Sequence, residues 1–288
     1  MRPRLLIIGC GDVGLRVLRI LARRWQVTAL TSSADRVAEL RAAGARPIVG
    51  NLNSPQTLGR LAGWADALLH LAPPPSSGER DTYTRHLLQA LVRRSLPRAI
   101  VYASTSGVYG DCGGERFDET RRLAPQTARA RRRVEAETQL RAFGRQHGVR
   151  VSILRVPGIY AVDRPGGHPR ERLLRGTPVL AREDDVYTNH IHADDLARAC
   201  ALALWRGLPQ RAVNTCDQTE LLMGDYFDLA ADICSLPRPP RVSRAQAETQ
   251  LAPMQLSFMS ESRRLDNRRL QTEIGLKLRY PTVEDGLR

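Results

Sequence analysis

A glycine-rich turn near the amino terminus is the feature that most constrains the fold of this chain. Residues 9–14 read Gly-Cys-Gly-Asp-Val-Gly, a G-x-G-x-x-G pattern. It follows a short apolar run, RLLIIGC at Arg4–Cys10, and it precedes apolar residues at helical spacing, namely Val13, Val17, Ile20 and Leu21. This context is typical of the first strand, turn and helix of a dinucleotide-binding domain.

Each glycine of the pattern has its own expected task. The first permits a tight turn, the second lets the backbone approach a pyrophosphate, and the third allows the helix to pack closely on the strand. The helix amino terminus adds the positive end of its dipole. We therefore predict that Gly9, Gly11, Asp12, Val13 and Gly14 contact a dinucleotide cofactor.

Short apolar runs alternate with helical patterns along the first half of the chain. Further strands are predicted at Val27–Leu30, Pro47–Gly50, Ala67–Ala72, Ala99–Ala103 and Val151–Leu154. Such alternation predicts βαβ units, and hence an α/β fold with a doubly wound parallel sheet of the Rossmann type. Beyond Tyr160 the alternation of apolar runs and helical patterns is no longer regular. We predict a dinucleotide-binding domain over residues 1–160 and a smaller C-terminal substrate lobe drawn mainly from residues 161–288, with some segments returning to the sheet.

The end of the second predicted strand bears on the choice of cofactor. A carboxylate there would bind the ribose of NAD, whereas this chain has Thr31 and Ser32, with Arg36 shortly after. Because position 31 is a threonine, there is no carboxylate there to repel a 2′-phosphate. The hydroxyls of Thr31 and Ser32 and the guanidinium of Arg36 can bind such a phosphate. We predict NADP as the cofactor, with NAD as the alternative. Arg36 as a plain exposed charge on the next helix is the competing interpretation.

The charge and the cysteines exclude several other classes. The net charge is +14, but all basic residues except Lys277 are arginine, spread from Arg2 to Arg288, which indicates a general bias rather than a nucleic-acid site. No run approaches the roughly 18 apolar residues of a membrane span. The five cysteines are scattered and odd in number, so neither a disulfide framework nor a metal site is expected. We expect a cytoplasmic protein without nucleic-acid or membrane partners, as a monomer or homodimer.

Four later segments resemble one enzyme family. They are VYASTSGVYG at Val101–Gly110, ILRVPGIY at Ile153–Tyr160, NHIHADDLA at Asn189–Ala197, and Gly50-Asn51-Leu52. Together they resemble the extended and atypical short-chain dehydrogenases/reductases, which include the NAD-dependent epimerase/dehydratase proteins. The resemblance runs over nearly the whole chain in the expected order.

The resemblance implies further site residues. Asn51 and Leu52 stand where the family contacts adenine, and the end of the fourth predicted strand adds three more expected cofactor contacts, Leu71, Ala72 and Pro73. Thr105 stands where the family keeps a catalytic hydroxyl. Capping of a strand end is the alternative role for Thr105.

The family's usual proton donor is missing. That donor is the tyrosine of Y-x-x-x-K, and no tyrosine here is followed by a lysine four residues later. One register of the corresponding helix puts Thr127 and Arg131 at the two positions, and a shift by two puts Arg129 and Arg133 there. We take Arg131 as the residue that holds the ribose.

The missing donor leaves one tyrosine as a substitute. Tyr160 is the tyrosine that the resemblance places near the nicotinamide, although burial in the core is an equal alternative. A threonine hydroxyl barely ionises near neutral pH, so Thr127 is not expected to act as the acid.

These residues lead to two functional hypotheses. The first is an NAD(P)-dependent oxidoreductase or epimerase/dehydratase-like enzyme that acts on a small carbonyl or hydroxyl substrate, with catalysis by Thr105, Tyr160 and Arg131. Three arginines, Arg170, Arg172 and Arg175, are able to meet an anionic substrate. The second is a non-catalytic NADP(H)-binding redox sensor in which the lost tyrosine and lysine reflect lost chemistry.

Overall fold

The computed structural model describes residues 2–288, and its core is a seven-stranded parallel sheet with the order β12-β7-β5-β4-β1-β2-β3. The strands of the described chain are β1 Arg4–Ile8, β2 Gln26–Thr31, β3 Arg46–Val49, β4 Ala67–His70, β5 Ala99–Thr105, β6 Arg116–Phe117, β7 Arg150–Val156, β8 Gly158–Tyr160, β9 Val179–Leu180, β10 Tyr187–Thr188, β11 His190–His192, β12 Arg211–Asn214, β13 Leu221–Leu222, β14 Arg241–Val242 and β15 Arg264–Leu265.

Helices connect these strands. The α-helices are α1 Asp12–Leu21, α2 Val37–Ala42, α3 Thr82–Leu91, α4 Ala128–His147, α5 Arg170–Leu174, α6 Ala193–Arg206, α7 Met223–Cys234, α8 Arg244–Gln250, α9 Pro253–Phe258, α10 Arg268–Thr272 and α11 Val283–Leu287. Short 3₁₀ turns lie at Ala34–Arg36, Pro55–Leu61, Ser106–Tyr109 and Arg182–Asp184.

The apolar run of β1 is buried on both of its faces. Leu5 and Ile7 belong to one cluster with α1, α2 and α6, whereas Leu6 and Ile8 belong to a second cluster with α3 and α4. Alternate side chains of a strand point to opposite faces, so a strand covered on both sides has to be apolar throughout. The strand order reverses at β1, between β2 and β4, and this confirms the predicted doubly wound Rossmann-type sheet.

Two segments beyond residue 160 return to the sheet. Helix α6 packs on α1, and β12 extends the sheet beside β7. The smaller lobe has its own apolar cluster, which includes Tyr160, Val179, Tyr226 and Phe227. Within residues 2–288, no helix combines the length and the apolar character needed to cross a membrane.

A buried ion pair joins α4 to the sheet. Arg155 on β7 donates to both carboxylate oxygens of Glu137 on α4, at 3.2 and 2.8 Å. Both side chains are almost fully buried, and Glu137 also accepts a 2.6 Å hydrogen bond from Ser104 on β5. The remaining Arg155 nitrogen donates to the Tyr109 hydroxyl at 2.8 Å. Every charged group of this pair is therefore hydrogen-bonded, as burial requires.

We expect Glu137→Gln to lower the free energy of unfolding by about 3–5 kcal/mol, because it leaves the Arg155 charge buried without a counter-charge. Chemical denaturation measures this. Asp232→Asn is the matched control, since it removes an exposed ion pair with Arg238 and should change stability little. Equal losses in the two variants would contradict the importance assigned to the buried pair.

Candidate functional site

The glycine turn between β1 and α1 has the close contacts that the pattern predicts. Gly9 has a φ of +81°, and a Cβ there would lie 2.5 Å from the backbone nitrogen of Ala72. A Cβ on Gly14 would lie 3.1 Å from the Cys10 Sγ atom, whereas a Cβ on Gly11 would meet no heavy atom within 4 Å. The turn is therefore tight behind Gly9 and Gly14 and open at Gly11, the side on which a pyrophosphate would approach.

The end of β4 lies against this turn. The backbone nitrogens of Leu71 and Ala72 both donate to the carbonyl of Ile8, at 2.8 and 3.1 Å. This places Leu71 and Ala72, followed by Pro73, beside the glycine turn and at the reversal of the strand order. Ligands of doubly wound sheets bind in the crevice outside the carboxyl ends of the strands at such a reversal.

Arg36 reaches back to the glycine turn from the loop after β2. Its Nη1 atom donates to the carbonyl of Cys10 at 2.8 Å, and its other nitrogens bind the carboxylate of Glu39. Arg36 is therefore more than an exposed charge on the next helix. Thr31 is buried and accepts from the backbone nitrogen of Ser33 at 3.2 Å, whereas Ser32 is exposed.

The loop after β3 completes this side of the crevice. The Asn51 side chain accepts from the backbone nitrogen of Asn53 at 2.9 Å and so shapes a local turn. The carbonyl of Leu52 lies 2.7 Å from the Nδ1 atom of His86 on α3. The Leu52 side chain is buried in the cluster beneath the sheet. The contacts of Asn51 and Leu52 to a cofactor remain a prediction.

The carboxylate of Asp12 is already occupied. It binds Arg16 at 3.2 Å and Arg164 at 2.7 Å, and Arg16 in turn binds Asp163 and Asp194 at 2.5 Å each. The side chain of Asp12 therefore ties the first turn of α1 to the loop after β8. The groups that could bind an anion here are therefore the backbone N–H groups at the amino terminus of α1.

A cleft of about 800 Å³ lies between the carboxyl edge of the sheet and the smaller lobe. The sheet side contributes Thr105 at the end of β5 and Pro157 after β7, while α7 contributes Tyr226 and Phe227 from the lobe. The volume falls within the roughly 300–1,000 Å³ of typical small-molecule sites. We call this space the substrate cleft.

Thr105 lines the substrate cleft and has an uncommitted hydroxyl proton. Its Oγ1 atom accepts from the backbone nitrogen of Gly107 at 3.3 Å, which makes it the cap of the 3₁₀ turn that follows. The hydroxyl donates to no acceptor within residues 2–288. Both roles considered for Thr105 are thus compatible, since the cap uses only a lone pair.

Tyr160 lies in an environment that opposes proton donation. Its side chain is 2% exposed, and its hydroxyl donates to the carbonyl of Thr282 at 3.1 Å. Burial, together with the nearby Asp217, raises the pKa of the phenol well above its ordinary value. The ring packs edge-on against His190 and His192. Tyr160 also lines the substrate cleft, so its packing role is observed and its catalytic role stays a prediction.

The start of α4 places the residues of both registers. Thr127 caps the helix by accepting from Ala130, and Arg131 is exposed and turns back to the carbonyl of Gln126. Arg129 lines the substrate cleft, and Arg133 donates to the carbonyl of Ala103 at 2.6 Å. Thr127 lines the cleft as well, so each register places its first residue there. Arg131 does not line the cleft, and its catalytic assignment is corrected on that ground.

This correction follows from helix geometry. Residues four apart share one face of a helix, so Arg129 and Arg133 point to the sheet together and Arg131 points away. Alanine and arginine alternate over Ala128–Arg131, and two more arginines follow, so the pattern leaves the inward face ambiguous. The cap at Thr127 is the signal that would have set the register.

The acidic pair at the start of α6 has structural roles. Asp195 is fully buried and accepts from the backbone nitrogens of Arg279 and Tyr280 at 2.9 Å. Asp194 binds Arg16, and its backbone nitrogen donates to the ring of His192 at 3.2 Å. These contacts anchor the C-terminal segment and begin the helix.

Comparison with known proteins agrees with this geometry. A functionally unknown conserved protein from Silicibacter pomeroyi is 30% identical, with a TM-score of 0.81 and coverage of 99% of this chain and 96% of that one. A UDP-glucose 4-epimerase from Thermotoga maritima, solved with UDP-glucose, is 18% identical with a TM-score of 0.80 over 99% and 96%. A UDP-glucuronic acid 4-epimerase from Bacillus cereus, solved with UDP-glucuronic acid and NAD, is 16% identical with a TM-score of 0.78 over 99% and 96%.

The family assignment comes from a sequence profile. No curated protein sequence matches this chain at a significant level. A family profile does match, over residues 5–216, a range that begins in β1 and ends just after β12. The family resemblance inferred from the motifs is thereby confirmed, and the chain belongs to the NAD dependent epimerase/dehydratase family.

Proposed function

We propose that this protein is an NAD(P)-dependent oxidoreductase or epimerase/dehydratase that acts on a hydroxyl-bearing or carbonyl carbon of a substrate bound in the substrate cleft. One observation carries the proposal. Thr105 and Arg129, from β5 and α4, line the same cleft at the carboxyl edge of the sheet, the edge on which the glycine turn also lies.

The residues around the glycine turn fit a dinucleotide. The open space at Gly11 and the amino terminus of α1 suit a pyrophosphate, and the positive φ of Gly9 allows the close approach of β4. When bound, NAD(P) supplies hydride exchange with a substrate carbon. The remaining chemistry, which is to hold the substrate oxygen and manage its charge and proton, belongs to the side chains of this chain.

Thr105 is suited to orient the substrate oxygen. Because its lone pair accepts from Gly107, its proton is directed toward other acceptors in the cleft. A donor held in this way by the backbone loses little freedom when a substrate binds. A threonine cannot supply a net proton near neutral pH, so Thr105 would pass one from water rather than release its own.

Arg129 replaces a proton donor with a fixed positive charge. A guanidinium does not lose its proton at any ordinary pH, so it cannot act as the family's tyrosine does. It can stabilise the negative charge that develops on a substrate oxygen when the carbonyl is reduced. Within residues 2–288 no carboxylate forms an ion pair with Arg129, whose guanidinium lies 5.6 Å from the Phe258 ring centroid.

Arg133 acts as a positioning residue. Its Nη1 atom donates to the carbonyl of Ala103 at 2.6 Å and to the Tyr102 hydroxyl at 3.0 Å. These contacts hold the last residues of β5, two positions before Thr105. In the register shifted by two, Arg133 takes the position of the family's lysine and would fix the strand end that bears the hydroxyl.

The proposed preference for NADP rests on Arg36. Its guanidinium lies at the carbonyl of Cys10 inside the glycine turn, and Thr31 stands where NAD-binding proteins carry a ribose-binding carboxylate. A 2′-phosphate would compete with Glu39 for the same guanidinium, and phosphate is the more highly charged partner.

The ligands of the similar structures support a substrate of the sugar-nucleotide type. The Thermotoga maritima protein holds UDP-glucose and the Bacillus cereus protein holds UDP-glucuronic acid. Both ligands carry hydroxyl-bearing carbons and anionic groups. A cleft of about 800 Å³ has room for a ligand of this size.

We expect Thr105→Val and Arg129→Gln each to lower kcat/KM by about a hundredfold, the usual effect of removing an oriented hydrogen-bond donor at a developing charge. Turnover is followed by nicotinamide fluorescence and product chromatography with a panel of nucleotide sugars and simple carbonyl compounds. Arg131→Gln is the matched control on the same helix and should leave kcat/KM unchanged.

Two results would contradict this assignment. If Arg131→Gln costs as much as Arg129→Gln, the other register of α4 is the functional one. If Tyr160→Phe abolishes turnover while Thr105→Val does not, Tyr160 is the acid after all. Tight cofactor binding without turnover of any compound would instead support the non-catalytic sensor.

We further expect NADPH to bind about tenfold more tightly than NADH, and Arg36→Ala to remove most of that difference, because one charged hydrogen bond to the 2′-phosphate is lost. Calorimetric titration measures both affinities. Arg41→Ala, an exposed arginine on α2, is the control. Equal affinity for the two cofactors in the wild type would overturn the preference.

A further inference from the structure

The lobe end of the substrate cleft carries two arginines that lack acidic partners. Arg172 lies on α5 and Arg175 directly follows that helix, and both line the cleft. Over the described range of the chain, neither has a carboxylate oxygen within ion-pair distance. The buried arginines Arg16 and Arg155 differ from this pair, since each has carboxylate oxygens at 2.5 to 2.8 Å.

Arg172 is held in place and partly withdrawn from water. Its Nη2 atom donates to the carbonyl of Pro178 at 3.1 Å, and its guanidinium carbon lies 4.3 Å from the centroid of the Phe227 ring. Its Nε atom is buried and has no hydrogen-bond partner in the described part of the chain. Burial, with the neighbouring Arg175, lowers the pKa of Arg172 to about 10. Such a cation is normally paired, because burying an unpaired charge is costly.

The acids that line the cleft do not supply the missing partner. Glu261 is buried and bound by Arg263 at 2.6 Å, so that pair neutralises itself. Glu171 also lines the cleft, but it is exposed and forms no ion pair with Arg172 or Arg175 among the described residues. The net charge of the side chains that line this end of the cleft is therefore positive.

The groups next to this end favour a ligand with hydroxyl groups. His190 lines the cleft and stacks on Tyr226 with ring centroids 4.3 Å apart. Burial lowers the pKa of His190 to about 4, so the imidazole is neutral and able to donate or accept. The Nδ1 atom of His190 and the hydroxyl of Thr188 are both buried without partners in the described chain. Small side-chain rotations on ligand binding would satisfy them.

We propose that Arg172, flanked by Arg175, binds a carboxylate or phosphate group of a hydroxyl-bearing substrate and thereby sets which end of that substrate enters the cleft first. The inference rests on the proposed function only in taking the cleft as the substrate site. Planar carboxylate and phosphate groups are the partners that an arginine fork recognises best.

Calorimetric titration with four probes tests the site without turnover. The probes are glucose 1-phosphate, glucuronate, inorganic phosphate and neutral glucose. We expect at least one anionic probe to bind the wild type about tenfold or more tightly than glucose, because it adds a charged hydrogen bond. Binding of glucose 1-phosphate and inorganic phosphate alone would assign a phosphate site, and binding of glucuronate alone would assign a carboxylate site.

Three variants separate anion binding from structure. Arg172→Gln should weaken the anionic probe at least about tenfold and leave glucose unchanged, whereas Arg172→Lys keeps the charge but loses the planar fork and should weaken the same probe by a smaller factor. Arg170→Gln is the control, because Arg170 is exposed on the same helix and does not line the cleft. If the glutamine variant fails to fold, the lysine variant still tests the site, because unchanged affinity for the anionic probe would show that the Arg172 fork does not bind it.

Other outcomes would overturn the proposal. They are equal binding of the anionic probe by Arg172→Gln and the wild type, or glucose bound as tightly as the anions. If Thr105→Val keeps full turnover while the anionic probe still binds, only the catalytic proposal fails. NADPH affinity, which should be the same in Arg172→Gln and the wild type, checks that the cofactor side is unaffected.

Discussion

The buried pair of Arg155 and Glu137 is the interaction on which the candidate site depends. It joins β7 to α4, and through Ser104 it also holds β5, so three elements meet at one charge pair. Thr105 follows Ser104 directly, and Arg133 and Arg129 lie about one and two turns, respectively, before Glu137 on the same helix. A rigid hydrogen-bonded pair in a low-dielectric interior therefore fixes the distance between a strand end and a helix start. The chemistry proposed for the cleft needs that distance to be constant.

Electrostatic ties also connect the cofactor side to the lobe. Asp12 in the glycine turn binds Arg164 in the loop that leads to the cleft, and Arg16 gathers Asp163 and Asp194 around the same helix start. These pairs neutralise carboxylates near the turn, whose charges would otherwise repel a pyrophosphate. Arginine serves this purpose well, because its planar fork bonds two acceptors at once. The abundance of arginine in this chain is thus used in specific places, although most of it covers the surface.

The fold and the cofactor side could be predicted largely from local patterns. A glycine with a positive φ, an apolar strand buried on both faces and a helix amino terminus leave direct marks in a few consecutive residues. The short strand β12 and the strands of the lobe cannot be predicted in this way, because strands of two to four residues carry too little periodicity to be recognised. Arg155 belongs to the ILRVPGIY motif, but that motif does not indicate an ion pair. Its partner Glu137 lies 18 residues earlier, beyond the reach of any local pattern.

By itself, the sequence determined the doubly wound architecture, the glycine turn and the absence of a Y-x-x-x-K motif, because each follows from neighbouring residues or from composition. Only the tertiary structure decided which arginines of α4 face the cleft, that Tyr160 is enclosed against Thr282, and that Arg172 lacks an acidic partner in the described chain. The physical reason is the same in each case. Burial and charge pairing are set by atoms brought from distant parts of the chain, and no single segment records them.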